Sequence, residues 1–128
     1  MIKDYKKEDL EFIHKWCEHY KFPKLEDEML PDGWIAYDGD TPVFVGWLYA
    51  QADLKIAWVA WVVMNPECDH RARDKAFVEF NAKIDEEAVA RGIKMMITPT
   101  NNGSLINRFN SNGWQTYDID VCHLMKMY

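Results

Sequence analysis

The sequence predicts a mixed α/β fold, a central, mostly antiparallel sheet of about seven strands with helices on both faces. Three observations carry this reading. In segments 7–20 and 71–91, apolar residues recur at three- and four-residue steps, the period of a helix with one buried stripe. Between and after those segments lie short runs rich in β-branched and aromatic residues, bounded by Gly, Pro, Asn and Asp. One such run, 55–64, is apolar on both faces, as expected of a central strand covered on both sides. At 128 residues the chain fits one domain, 1–128, and a core of that size is stable without disulfide staples.

Taken in order, residues 1–5 read as a short first strand. The helix Lys7 to Tyr20 aligns Leu10, Ile13, Trp16, Cys17 and Tyr20 on one side. Phe22-Pro23 stops it, because proline disfavours helical geometry in the residue before it. The polar segment 24–32 ends at the Pro31-Asp32-Gly33 break. Strand Trp34 to Tyr37 turns at Asp38-Gly39-Asp40 into strand Pro42 to Ala50, and Gln51 to Leu54 joins that strand to Lys55 to Met64. After Asn65-Pro66, helix 71–91 sets Ala76, Phe77, Phe80, Ile84 and Ala88 on one stripe, with Gly92 as its C-terminal cap. Strand Ile93 to Thr98 follows. Asn101 or Asn102 caps a short helix with Leu105, Ile106 and Phe109 on one face, and Gly113 ends it. Trp114 to Asp118 and Val121 to Met127 complete the sheet. An antiparallel meander is thus followed by one β-α-β crossover.

Composition narrows the function. The 48% apolar and 28% charged fractions are those of an ordinary globular protein, while 14% aromatic residues, with Trp at six positions, imply a core built on large rings. No apolar run reaches the roughly 18 residues needed to span a bilayer. The opening Met-Ile-Lys-Asp-Tyr-Lys-Lys-Glu-Asp lacks the apolar stretch of a signal peptide. Cys17, Cys68 and Cys122 have no metal-type spacing, and an odd number suits a reducing compartment, so a cytoplasmic protein is expected. His14, His19, His70 and His123 show no ligand spacing, and no metal is implied. A net charge of −6 argues against broad nucleic-acid binding and suits a cationic or neutral small partner. The acidic run Glu26-Asp27-Glu28 reads as a solvated loop, or as a lure for a polyamine or lysine-bearing partner.

In open α/β sheets, ligands sit beyond the carboxyl ends of strands where connections diverge. Here that place is the exit of strand 55–64 into helix 71–91. The first turn of a helix offers free N–H groups and the positive end of its dipole, and His70, Arg71, Arg73 and Lys75 cluster there among Asp69 and Asp74. Four potential cations at such a point suit a pyrophosphate; they also suit the solvated start of a surface helix.

The motifs around that point resemble those of the GNAT superfamily of acyl-CoA-dependent N-acyltransferases. That family places a strand before Arg/Gln-x-x-Gly-x-Gly/Ala and a long helix. This chain has Trp58-Val59-Ala60-Trp61-Val62-Val63-Met64-Asn65-Pro66-Glu67 and then Arg71-Ala72-Arg73-Asp74-Lys75-Ala76. The family then has an Asn, a short helix and Tyr-x-x-x-Gly-Phe; Asn102, Phe109, Gly113 and Trp114 stand at that spacing. The resemblance implies acetyl-CoA as acyl donor. Its pantetheine arm would run antiparallel beside Val62, Val63 and Met64, and its pyrophosphate would lie on the N–H groups of Arg71 to Ala76, helped by the Arg71 and Arg73 side chains. Asn102 would reach the donor from the next strand's end, with Phe109 close behind. The acceptor would be a small-molecule or protein amine, attacking the thioester directly where the two central strands splay.

Two departures from the family pattern weigh on activity. Asp74 replaces the first motif glycine, which lets backbone approach the phosphates, and adds a carboxylate. Phe109 replaces the Tyr that protonates the leaving thiolate; proton transfer by a placed side chain is worth about 10²–10⁴-fold. Strand 55–64 carries no carboxylate, so the general base is unassigned among Glu67, Asp69, His70 and His123. Two readings follow. One is an acetyl-CoA-dependent N-acetyltransferase; the other is a catalytically inactive GNAT-fold binding or regulatory protein. Trp58 and Trp61 are expected on opposite faces of their strand. Trp34, Trp47 and Tyr49 are candidates for the acceptor side, and cations near Cys68 are expected to lower its pKa. A homodimer through an exposed C-terminal edge strand is compatible with either reading.

Overall fold

The chain runs through β1 (Ile2–Asp4), α1 (Leu10–His19), β2 (Gly33–Asp38), β3 (Thr41–Ala50), β4 (Ile56–Met64), α2 (His70–Ala90), β5 (Met95–Ile97) and α3 (Gly103–Ser111), with short 3₁₀ turns at Lys7–Asp9 and Asp27–Met29. The structure is a computed structural model and describes residues 1–120, 122 and 124–128. The sheet order follows the chain, β1-β2-β3-β4-β5. The first three pairings are antiparallel and β4–β5 is parallel, so the meander and the single crossover are both present. Among the described residues no helix is long and apolar enough to cross a membrane.

Each helix ends where local chemistry stops it. Before α1, the Asp9 carboxylate accepts from the Lys6 N–H at 2.8 Å. After α1, Lys21 turns into the left-handed region and the Phe22 N–H returns to the Cys17 carbonyl at 2.8 Å. Asp69 caps α2 by accepting from the Ala72 N–H at 2.8 Å, a bond that relieves one orphan donor. At the other end Gly92 adopts φ +67°, and the Ile93 N–H closes back on Ala88 at 2.9 Å.

The two faces of the sheet carry separate cores. α2 and α3 cover one face, where Phe44 packs edge-on against Phe77 and tilted against Phe80. α1 covers the other, setting Ile13, Trp16 and Cys17 over Ile35, Val45 and Trp47. The indole N–H of Trp114 donates to Asn81 Oδ1 at 2.8 Å, whereas the buried Trp47 Nε1 has no partner among the described residues.

Five strands, rather than about seven, form among the described residues. Segment 114–118 is irregular and exposed beyond Trp114, and its Tyr117 ring is 82% accessible. The expected last strand, Val121 to Met127, includes Val121 and His123, which lie outside the described residues; Cys122 and 124–127 form no strand. Alternating apolar residues make a strand only when another strand accepts their backbone bonds. β5 is also shorter than its apolar run. Ile93 is used in closing α2, and Lys94 bonds to the Lys55 carbonyl at 2.7 Å.

The faces of β4 differ from simple alternation. Val45 pairs with Val63 but Trp47 pairs with Ala60, so Gly46 alone faces Trp61 and Val62. This bulge turns Trp61 to φ 56°, a left-handed conformation that costs a non-glycine residue about 1–2 kcal/mol. One extra residue also shifts the phase of the strand. Trp58 stands opposite Tyr49, which packs in the α1-side core, and Trp61 packs in that same core. The two indoles therefore share a face, contrary to the alternation expected from spacing alone.

Candidate functional site

β4 is held by β3 as far as Met64, but by β5 only at Ile56, Ala57 and Trp58. From Val59 onward its outer flank has no strand beside it among the described residues. The bulge lies in this uncovered stretch, and α2 begins a short loop beyond its end. The exit of β4 is thus an open wedge beyond the end of β5, closed at one end by a helix N-terminus.

The loop between β4 and α2 is built rather than loose. Asn65 is 9% exposed; its amide donates to Pro42 O at 2.9 Å, and its Oδ1 accepts from the Glu67 N–H at 3.0 Å. Arg73 reaches back from α2 and donates through Nη2 to the carbonyls of Asn65 and Pro66, both at 3.1 Å. Its Nε is buried without a partner among the described residues. Arg73 therefore clamps the loop. Arg71 and Lys75 are exposed at the helix surface.

In the first turn of α2, the Ala72 N–H is taken by Asp69 and the Arg73 N–H by the Asp69 carbonyl at 3.1 Å. Asp74, Lys75 and Ala76 lie one turn further, where amides belong to the intrahelical ladder. The amides of His70 and Arg71 are the ones this turn leaves for a ligand.

Asp74 does not stand alone. Arg108 of α3 is 8% exposed and donates from Nε to Asp74 Oδ1 at 2.8 Å. Its Nη1 lies 3.6 Å from Met64 Sδ, and its Nη2 is 3.4 Å from His70 Nδ1. The end of β4, the start of α2 and the last turn of α3 thus meet at one buried guanidinium. Sequence reasoning passed over Arg108. The available signal was its place between Leu105 and Phe109 on the apolar stripe of α3, where a charge requires a partner.

The other expected site residues are dispersed. Val62 packs against the α2-side core, Val63 belongs to the α1-side core, and Met64 ends the strand against Arg108. Asn102 caps α3, with Oδ1 accepting from the Leu105 N–H at 3.0 Å. Phe109 is buried edge-on between Phe77 and Trp114, each with its centroid 4.9 Å away. Among the candidate bases, Asp69 is engaged in capping, His70 faces Arg108, Glu67 is exposed and His123 lies outside the described residues.

Three further expectations are corrected, those for Trp34, Trp47 and Cys68. Trp34 and Trp47 are buried, at 4% and 0% exposure, and line no open surface; Lys83 lies over the Trp34 ring. Cys68 is half-buried, and burial pushes its thiol up; Arg73 pulls the other way, but Asp38, Asp69 and Glu67 add to the rise. Cys122 is exposed. Tyr49 remains half-open, and burial pushes its phenol up, an effect that the Trp61 N–H beside it partly offsets.

No protein-family model matches the chain, and no curated protein matches it in sequence. Solved structures do match in shape. TTHA1254 from Thermus thermophilus superposes with a TM-score of 0.71 at 11% identity, covering 100% of this chain and 98% of that one. The aminoglycoside N-acetyltransferase AAC(6')-Iy, solved in complex with CoA, gives 0.71 at 12% identity over 99% and 100%. SA2161, a probable acetyltransferase from meticillin-resistant Staphylococcus aureus, gives 0.69 at 10% identity over 100% of both chains. The chain has the fold of the GNAT superfamily.

Proposed function

We propose that residues 1–128 act as one acetyl-CoA-dependent N-acetyltransferase domain. The observation that carries this reading is the wedge beside β4: a flank left unpaired where β5 ends opposite Trp58, a bulge at Trp61, and a helix N-terminus at the far end. A β-strand flank without a neighbour presents N–H and C=O groups at the spacing of an extended amide chain. The pantetheine arm of CoA is such a chain. It would pair along Val62 to Met64, while its phosphates met the free amides of His70 and Arg71 and the Arg71 side chain. Acyl transfer then needs proximity and backbone donors more than a covalent catalyst.

The Arg108–Asp74 pair favours a second reading, a binding or regulatory protein without turnover. It fills the position of the motif glycine with a carboxylate already satisfied by a buried cation. Phe109, enclosed by rings, supplies no proton to a thiolate.

Calorimetric titration with acetyl-CoA, using desulfo-CoA and ATP as controls, separates donor binding from none. Micromolar affinity, reduced in Arg71→Ala, supports the donor site. Arg71 suits this test better than Arg73, whose removal unclamps the loop. Absence of heat and of thermal shift at millimolar acetyl-CoA would overturn the enzyme reading. Binding without transfer to any amine in a mass-spectrometric screen would favour the second reading.

A further inference from the structure

The sheet face on the α1 side is only partly covered, and its uncovered part is hollow. Tyr49, Ile56 and Trp58 form the floor of a groove of about 300 Å³, with Pro31, Gln51 and Leu54 around its rim. Trp58 is 41% exposed, a large value for a ring on a strand flanked on both sides, and Leu54, in the turn before β4, is 45% exposed. The volume lies at the lower end of small-molecule sites, and a cleft this small does not seat a folded partner.

The lining selects a chemical class. None of its side chains carries a charge. The Tyr49 hydroxyl is already donated to the Met29 carbonyl at 3.1 Å, which leaves the ring rather than the oxygen to meet a ligand. Tyr49 and Trp58 are cross-strand partners, so their rings stand side by side on one face. Such a floor suits a flat apolar group laid against the rings. A polycation would lose hydration there and gain no carboxylate in return.

The groove adjoins the wedge along β4. Trp58 is both part of its floor and the last β4 residue paired with β5. The bulge at Trp61 begins three residues on, roughly 10 Å along a strand. A ring seated over Trp58 with a short side arm would place that arm's terminal atom at the mouth of the wedge.

We propose that this groove is the acceptor subsite and that it takes a primary amine carried on a flat apolar body, of the arylalkylamine type. The acceptor role rests on the donor reading above; the binding of the amine does not. In the reaction the neutral nitrogen forms a C–N bond to the acetyl carbon, and the C–S bond breaks. The CoA thiolate leaves with the bonding pair, and the proton shed by nitrogen passes through water to yield the thiol.

The test uses the full chain and 2-phenylethylamine, with spermidine and an aminoglycoside as polycationic controls. Binding is read by ligand-observed NMR without acetyl-CoA, and N-acetylation by mass spectrometry with it. Trp58→Ala and Leu54→Glu alter the groove, while Val78→Ala on the exposed side of α2 serves as reference. Preference for 2-phenylethylamine over spermidine by about tenfold or more is expected, lost by about tenfold in the groove variants and kept in the reference. Equal binding of the controls, or indifference to both groove variants, overturns the proposal. So does a dimer in sedimentation velocity that dissociates in Trp58→Ala, which would make the groove an interface between copies. Amine binding without acetyl-CoA binding would sink the transferase reading and keep the groove; acetyl-CoA binding without amine binding would do the reverse.

Discussion

On the α2 side of the sheet, rings from β3, α2 and α3 interlock from edge to edge of the central strands. On the α1 side, the same strands are covered over Ile35, Val45, Trp47 and Val63 and then left open over Ile56 and Trp58. The two faces share a backbone, so the difference lies in what covers them. α2 has 21 residues and lies over β1, β2 and β3, whereas α1 has 10 and leaves the start of β4 open. A face fully roofed contributes stability; a face half-roofed leaves room for a ligand. The open face also holds Trp61, whose backbone stands in the left-handed region.

Equal truncations on the two faces would break this comparison if they cost the same. Phe80→Ala, on the roofed face, is expected to lower unfolding free energy by about 3–5 kcal/mol, and Trp58→Ala, on the open face, by about 1–2 kcal/mol, both read from urea midpoints. A Cβ added at Gly46 would lie 2.6 Å from the Phe80 ring, so Gly46→Ala should cost about 1–3 kcal/mol. Combining it with Phe80→Leu should recover part of that loss, because the two share one space. Asp69→Ala removes the cap of α2 and should cost about 1 kcal/mol, with fraying seen as faster amide exchange in 70–73.

The smallest effect concerns pH. Burial pushes the Cys17 thiol, under α1, up to about 11 from its ordinary 9.0. The folded state holds this proton more tightly than the unfolded state. Its contribution is therefore complete below pH 9 and lost as pH climbs through about 11. Cys17→Ala should flatten that part of the stability profile. Cys122 should react with a thiol reagent at about pH 8 well before Cys17 does.

Much of the fold was legible because it rests on local periodicity. The stripes of α1 and α2, the turn at Gly39 and the caps at Asn102 and Gly92 follow from residue spacing and backbone preference. The site was legible only in outline. The residues that surround the β4–α2 corner were visible, but not which of them were already engaged. Arg73 was a candidate phosphate ligand and is a loop clamp; Asp74 was a repulsive carboxylate and is the partner of Arg108. The Asp74–Arg108 pairing joins residues 34 positions apart, which no local pattern encodes.

By itself, then, the sequence determined the helices, the meander and the crossover. These follow from the 3.6 and 2.0 periods of side-chain direction, which act within one element. Tertiary structure decided the rest: that β4 slips by one residue against β3, that Trp58 and Trp61 share a face, and that the β5 edge stays open among the described residues. Register and strand count depend on which backbone groups find partners across the sheet, and that is a property of the assembled fold.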